Sequence, residues 1–495
     1  MENSLFLITL RRKFPAILIL IFCWSLIYLP NLGLAPLAGF ESKRVSIAFD
    51  IVDLSGLFSA DYIGEFYSNK PPIYSFLLSI FLKLINSSIE FAVRLPSALC
   101  VLFTAIISLY KLAWIKNNAS FFISLLLILS PISIYYGRLA ELEIFYAALI
   151  YLSFTDCIKF FFKNNNNNLL ISASILQGIA FIIKGPIGIF MLLVFIIFKS
   201  NSLQEIIKVF KIIFPYFFII CIGYFLVPLA LGAMSTRILL QEIYVRFFWS
   251  FSLRRFFCER LLALSLALVP SFIALNNWNV INKNFSFIYK YCSSLLLLFF
   301  LIPGFQADYL APALILVIIP SGITLSNLLS SKNYIKVWPL LLSLLFVGNI
   351  SSLILPNYAN KQSNISQAKS VILDGLKNVN YSSNLFPKRI LLTNRAKYIA
   401  PYLYNAKEKF VLKTLSSENL KNELYKTPSN KFFLISEKNK SENNKLINSE
   451  KKSCEIKEIS KTYLIRDIFG WQNLGDFQIR ENYMLYEVSK CLDAL

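Results

Sequence analysis

Histidine is absent from all 495 residues. Its absence excludes an imidazole general base, a Ser-His-Asp triad and every histidine metal ligand. Cysteine is present eight times but never in CxxC spacing, so no zinc site is indicated. Charge is also scarce. Only 16% of residues are charged, where a soluble domain carries about 25%. Acidic residues number 28 against 49 basic ones, a net charge of +21. No groove motif concentrates that charge, so it fits lysine-rich loops facing anionic lipid rather than nucleic acid. Any chemistry must use carboxylates, amides, Lys, Arg, Tyr, the backbone or a bound ion.

What is abundant is apolar: 56% of the chain. Phe, Ile and Leu recur in blocks close to the roughly 20 residues that span a bilayer core. This predicts an α-helical polytopic membrane protein of about eleven spans. The spans are expected near 14–34, 95–113, 119–136, 143–162, 168–184, 186–199, 212–233, 261–278, 285–303, 308–328 and 337–356. "GLAPLAG" loosely resembles a signal-peptide cleavage site. The run from Phe14 to Leu34 is nonetheless longer than a signal core of about 7–15 residues, so an uncleaved first span is expected. With the N-terminus in the cytoplasm, the inside loops hold Lys111 and Lys116, Lys159 and Lys163, Lys199 with Lys208 and Lys211, Lys283, and Lys332 with Lys336. Every inside loop is then basic, in line with the excess of Lys and Arg that cytoplasmic loops carry.

That alternation fails if residues 73–85 form a span. The stretch "EFYSNKPPIYSFLLSIFLKLIN" is therefore read as an interfacial helix in the first outer loop, 35–94. Pro71 and Pro72 favour a helix start, and Lys70 stands just ahead of the N-terminus, where an anion is welcome. The other outer segments are the turn at 135–143, the Lys184-Gly185-Pro186 turn and the basic loop 234–260, with Arg237, Arg246, Arg254, Arg255 and Arg260.

From about residue 357 the chain becomes polar and lysine-rich. "RILLT", "KFVLK" and "KFFLIS" read as strands, and "RAKYIAPYLYNA" and "SSENLKNELYK" as helices. Residues 357–495 are expected to form a small C-terminal α/β domain. After an odd number of spans it is extracytoplasmic. Cys454 and Cys491 would then meet an oxidising compartment, paired or as two thiols.

Charges at the ends of spans are costly and are the first functional candidates. Glu41, Lys43 and Arg44 follow span one, Lys70 precedes the prolines, and Arg138, Glu141 and Glu143 open the fourth span. A carboxylate among cations at a membrane face suits transfer of a sugar from a lipid-linked phosphate. The cations hold the phosphate, and the carboxylate takes the proton of the attacking hydroxyl. Each charge alone is also what a solvated loop end or a snorkelling anchor looks like.

The motifs "GFES", "YSNKPPIYSFLL", "EFAVRLPSALCVLF", "SPISIYYGRLAELEIFYAAL", "GIAFIIKGPIGI" and "FQADYLAPAL" cover most of residues 1–330. In this order they resemble the GT-C class of membrane glycosyltransferases, the aminoarabinose transferase and protein O-mannosyltransferase superfamily. The resemblance implies eleven to thirteen spans, a polyprenyl-phosphate sugar donor and an active site on the outer face. It implies a first-loop acidic pair, which here reads Phe40-Glu41. It makes Lys70 a ligand of the donor phosphate, puts the second carboxylate on Glu143 and its arginine on Arg138. A later family lysine falls on Gln306, while Tyr309 and Pro312 match. In aminoarabinose transferases a glutamate before the first lysine binds a metal with a distant histidine. This chain has Asn69 there and no histidine, so that metal site is not carried over; no cofactor is predicted, and a divalent metal stays open with its ligands unidentified.

The expected function is thus an inverting transferase in the cell (inner) membrane, passing sugar from a polyprenyl phosphate to a lipid, glycan or protein acceptor. Glu41 or Glu143 is the base. Lys70, Arg138 and Lys184 are the donor-phosphate ligands. Arg246, Arg254, Arg255 and Tyr309 face the acceptor or lipid phosphates. Lys184-Gly185-Pro186 can equally be a tight turn with an anchor, and Tyr309 an interfacial aromatic. The alternative is a non-catalytic protein of the same fold that binds polyprenyl-phosphate lipids or supports another transferase. A transporter is disfavoured, since no paired internal repeat is visible.

Overall fold

Helices dominate the computed structural model of the chain. It describes most of residues 2–230, short stretches between 287 and 295, residues 307–330 and 341–354, and, beyond these, Ile372, one short helix and five strands. Within 2–230 the residues left out are 36, 38, 52–53, 55–59, 64, 67–70 and 116–117.

Two units make up the chain. The first comprises Met1–Leu32, Ser68–Pro71 and Val93–Leu355; the second comprises Gly33–Tyr67, Pro72–Ala92 and Pro356–Leu495.

The first unit is helical. Its elements are α1 (Glu2–Tyr28), most of α4 (Ile89–Lys111), α5 (Ala119–Leu129), α6 (Pro131–Gly137), α7 (Glu143–Phe162), α8 (Asn167–Lys184), α9 (Ile187–Lys199), α10 (Leu203–Ala230), α11 (Ala307–Leu316), α12 (Ile318–Ser330) and α13 (Leu341–Ile354). Among the described residues five helices are long and apolar enough to cross a membrane, or six if one bent pair is a single span. That pair is α5 and α6, which meet at 52°. The sequence pattern predicts one continuous span over 119–136. Pro131 explains the break: it has no N–H to donate back into α5. The Ser130 side chain caps the new helix by accepting from the Ser133 N–H.

Helix α7 lies at the centre of this unit. It packs on α8 and α11, while α8 packs on α10 and α5 on α12. Ser, Thr and small residues let these helices approach. At Gly322 of α12 the approach is closest: a Cβ there would stand 2.7 Å from the Ile123 backbone nitrogen of α5. Near the other end of α7, buried Asp156 accepts hydrogen bonds from Lys111 of α4 at 2.5 Å and Ser172 of α8 at 2.7 Å. Three helices are tied there by one carboxylate. Lys13 of α1 donates to the Leu109 carbonyl near the end of α4, satisfying one of the acceptors that a helix terminus leaves open.

The second unit holds α2 (Gly39–Asp50), α3 (Ile73–Leu84) and a tight hairpin of β1 (Asp61–Tyr62) and β2 (Glu65–Phe66). Ile63, at the hairpin turn, has a φ of 56°, in the left-handed region that β-branched residues rarely enter. Its complete burial and the bond from its N–H to the Asp50 carboxylate offset that strain. Helix α3 packs on α2 and has 12 residues, too few to span. It buries Tyr74, Ser75, Leu78 and Ser79 and exposes Ile80 and Leu84. The buried face thus mixes apolar and small polar side chains, while the exposed side carries Lys83 together with those two aliphatics.

Also in this unit are β3 (Lys388–Thr393), α14 (Ala400–Tyr404), β4 (Phe410–Leu415), β5 (Phe432–Glu437), β6 (Cys454–Arg466) and β7 (Ile479–Cys491). The strands form one mixed sheet in the order β4-β3-β5-β7-β6. The first three run parallel, and β7 is antiparallel to both its neighbours. The three strands expected from sequence fall on β3, β4 and β5. The helix expected at "RAKYIAPYLYNA" is observed as the five residues of α14, and "SSENLKNELYK" lies outside the described residues.

Candidate active site

Glu143 is the first residue of α7, and Lys184 is the last of α8. Each stands where the helix dipole favours its charge, the anion at an N-terminus and the cation at a C-terminus. The two helices bring them together: Lys184 Nζ donates to Glu143 Oε1 at 3.1 Å. The lysine side chain is fully buried and the glutamate side chain is 9% exposed. A buried pair of this kind is costly to desolvate and costlier to break.

The turn after Lys184 is fixed from α7 as well. Gly185 has φ 113° and ψ −164°, a conformation open in practice only to glycine. Pro186 then caps α9. One turn along α7, the Tyr146 hydroxyl accepts from the Gly188 N–H at 3.0 Å and makes a long 3.5 Å bond to the Gly185 carbonyl. Its ring lies 5.9 Å from Lys184 Nζ, within cation–π range. The Lys-Gly-Pro turn is therefore bound to α7 through Glu143 and Tyr146. Tyr146 was not among the residues the sequence singles out. Its spacing from Glu143, one helical turn, is the signal that could have found it.

Arg138 sits between α6 and α7 and spends its guanidinium on carbonyls. One nitrogen donates to Ile27 at 2.6 Å and Tyr28 at 3.1 Å, the other to Pro30 at 2.8 Å and Ser352 at 3.3 Å. These are the ends of α1 and α13, where backbone acceptors have no intrahelical donor. Arg94 adds a bond to the Leu32 carbonyl at 3.1 Å. Burial, and then the nearby charge of Arg94, lower Arg138 to about 10, so it stays charged at neutral pH.

Glu41 lies in the first turn of α2, in the second unit, and is buried. Arg44 of the same helix is buried too, and Lys43 lies 5.4 Å from the Tyr62 ring. Lys70, Arg246, Arg254 and Arg255 lie outside the described residues, as does Gln306. Tyr309 falls in α11, its side chain outside them. The structure thus joins Glu143 with Lys184 and engages Arg138 elsewhere.

The donor set does not fit the metal site that the aminoarabinose transferases imply. Asn69 replaces the glutamate and the sequence has no histidine. Among the described residues no three His, Cys, Asp or Glu side chains come together.

Residues 69–228 match the family of dolichyl-phosphate-mannose-protein mannosyltransferases. No curated protein sequence matches the chain. Among solved structures, ArnT from Cupriavidus metallidurans bound to undecaprenyl phosphate aligns over 97% of this chain and 98% of its own, with a TM-score of 0.69 and 12% identity. The same protein in the apo state aligns over 98% of both chains at 0.67 and 11% identity. The arabinofuranosyltransferase AftD from mycobacteria aligns over 98% of this chain and 40% of its own, at 0.52 and 10% identity. The chain has the fold of the GT-C class of glycosyltransferases and is an integral, multi-pass membrane protein.

Proposed function

Starting from the GT-C fold, we propose that this chain transfers a sugar from a polyprenyl-phosphate donor to a lipid, glycan or protein acceptor on the outer face of the membrane. The observation that carries this reading is the buried Glu143–Lys184 pair at the facing ends of α7 and α8. The ammonium holds the carboxylate in one orientation, as a general base at the transfer centre requires. ArnT from C. metallidurans, whose fold this chain has over nearly its whole length, was solved with undecaprenyl phosphate bound. That supports a polyprenyl phosphate as the lipid recognised.

The acceptor hydroxyl attacks the sugar's anomeric carbon from the face opposite the phosphate. The new C–O bond forms as the bond to the phosphate oxygen breaks, so the configuration inverts. The carboxylate of Glu143 takes the hydroxyl proton, with Glu41 the other candidate base. The departing phosphate keeps its electron pair, and its charge is met by Lys70, while Lys184, held against Glu143 on the side of the attacking hydroxyl, orients that carboxylate. Arg138, engaged by four carbonyls, positions the turn that leads into Glu143. The loop arginines Arg246, Arg254 and Arg255, with Tyr309, are assigned to acceptor or lipid phosphates.

The test is glycan analysis of a deletion strain complemented with wild type, Glu41→Ala, Glu143→Ala, Lys70→Ala and Lys184→Ala. One envelope glycan should be lost on deletion and return with wild type. A general base contributes about 10²–10⁴ in rate, so Glu143→Ala should fall by at least the lower figure. If no lipid, polysaccharide or protein glycan changes on deletion, the enzyme reading fails. Retention of polyprenyl phosphate in a pull-down would then leave the lipid-binding alternative, which the Phe40-Glu41 departure favours. If every variant restores product fully, the site assignment fails.

A further inference from the structure

Two cysteines occur in residues 356–495, Cys454 and Cys491. They are 37 positions apart in sequence, and the fold makes them direct partners in the antiparallel ladder of β6 and β7. Directly opposed residues in such a ladder have Cα atoms about 4.5–5.5 Å apart and project to the same face. A disulfide needs Cα atoms about 4.4–6.8 Å apart. We propose that Cys454 and Cys491 form a structural disulfide that closes the β6–β7 hairpin.

The position of the pair gives the bond a purpose. The ladder runs from Arg466 opposite Ile479, beside the connecting loop, to Cys454 opposite Cys491 at the open end. A hairpin frays from its open end, and this one has an added weakness there. The register shifts between Cys454 and Glu455, whose partners are Cys491 and Ser489, so Lys490 has no opposite number. Such a bulge interrupts the hydrogen-bond ladder just inside the terminal pair. Among the described strands β6 also lies at an edge of the sheet, with β7 its one neighbour. A covalent link beyond the bulge holds the edge strand where its backbone bonds are poorest. It also encloses the largest loop the hairpin offers, which removes the most freedom from the unfolded chain.

The other described cysteines follow a different pattern. Cys23, Cys157 and Cys221 are buried and Cys100 is partly buried in helices of the first unit, each a free thiol. Among the described residues, only the pair in the sheet meets across a ladder.

Bond formation is a two-electron oxidation. A thiolate of the pair attacks the disulfide of a protein oxidant, giving a mixed disulfide. The second thiolate displaces the oxidant's sulfur. Two thiols become one S–S bond, while the oxidant's disulfide takes up both electrons and both protons as two thiols. An oxidant of that class works outside the cytosol, so the bond also fixes the side on which this sheet resides. The proposal does not depend on the transferase reading.

The full-length chain, taken from native membranes, is denatured in N-ethylmaleimide without reductant and digested for mass spectrometry. Six of the eight cysteines should be modified at once, and all eight after reduction. The unreduced digest should contain one peptide pair joined through Cys454 and Cys491, absent from Cys454→Ser. Modification of all eight without reductant overturns the proposal, as does a link from either cysteine to any other thiol. Either result leaves the glycan test of the transferase reading untouched.

Discussion

Arg138 shows how a charge changes meaning once its neighbours are known. From sequence it is a phosphate ligand by resemblance; in the fold its donors reach the ends of two helices more than a hundred positions away on either side. The two readings separate in one substitution. Arg138→Lys keeps the charge but loses the planar fork. It should strand carbonyls at the end of α1, each buried orphan costing about 1–3 kcal/mol, and lower the melting temperature in detergent. A pure phosphate ligand would instead leave stability unchanged and weaken donor affinity. Asp156 is a second buried charge whose partners lie on other helices. Lys111→Met alone leaves a buried carboxylate short of its cation, at about 3–5 kcal/mol. The double change Lys111→Met with Asp156→Leu should recover most of that loss in the same melt, because both charges go together. Neither the Lys184–Glu143 pair nor the Lys111–Asp156 pair is visible in the sequence, since their members stand 41 and 45 positions apart.

At the level of elements, helix contacts in this fold are set by where a side chain is missing. Gly322→Ala should cost about 1–3 kcal/mol by overpacking, because its new methyl group meets the backbone of Ile123. Gly223→Ala in α10 makes the matching control. Nothing lies within 4 Å of a Cβ there, and alanine is the better helix former by about 1 kcal/mol. Thermal melts of the two purified variants should therefore move in opposite directions. Apolar runs made most of the described helices of the first unit legible, and three short apolar runs located β3, β4 and β5. The kink at Pro131 was missed because both arms are apolar and their sum has the length of a span. Strands β6 and β7 were missed for another reason. Ile456 and Ile459 in β6 are an odd number of residues apart, which hides the two-residue period of a strand. The register shift between Glu458 and Ser460 is what lets the ladder absorb that change of phase.

For the whole molecule, sidedness is the property on which the proposed chemistry turns. Single cysteines introduced beside Lys70 and beside Glu143, in a background lacking the native thiols, should both react with membrane-impermeant maleimide added from outside. Opposite responses would remove the outer-face reading. Of the candidate site, the sequence revealed which residues carry charge at span ends, but not which of them meet, because contact depends on how α7 and α8 are paired. The strand order β4-β3-β5-β7-β6 carries a consequence for how the protein is made. The ribosome delivers β5 and β6 before the strand that must lie between them. Until β7 emerges, β5 keeps an unsatisfied margin and β6 has nothing to zip against, so the sheet cannot be completed in the order of translation. Nascent chains halted before residue 479 should accordingly remain sensitive to protease across β6, and gain resistance once residue 491 has cleared the tunnel.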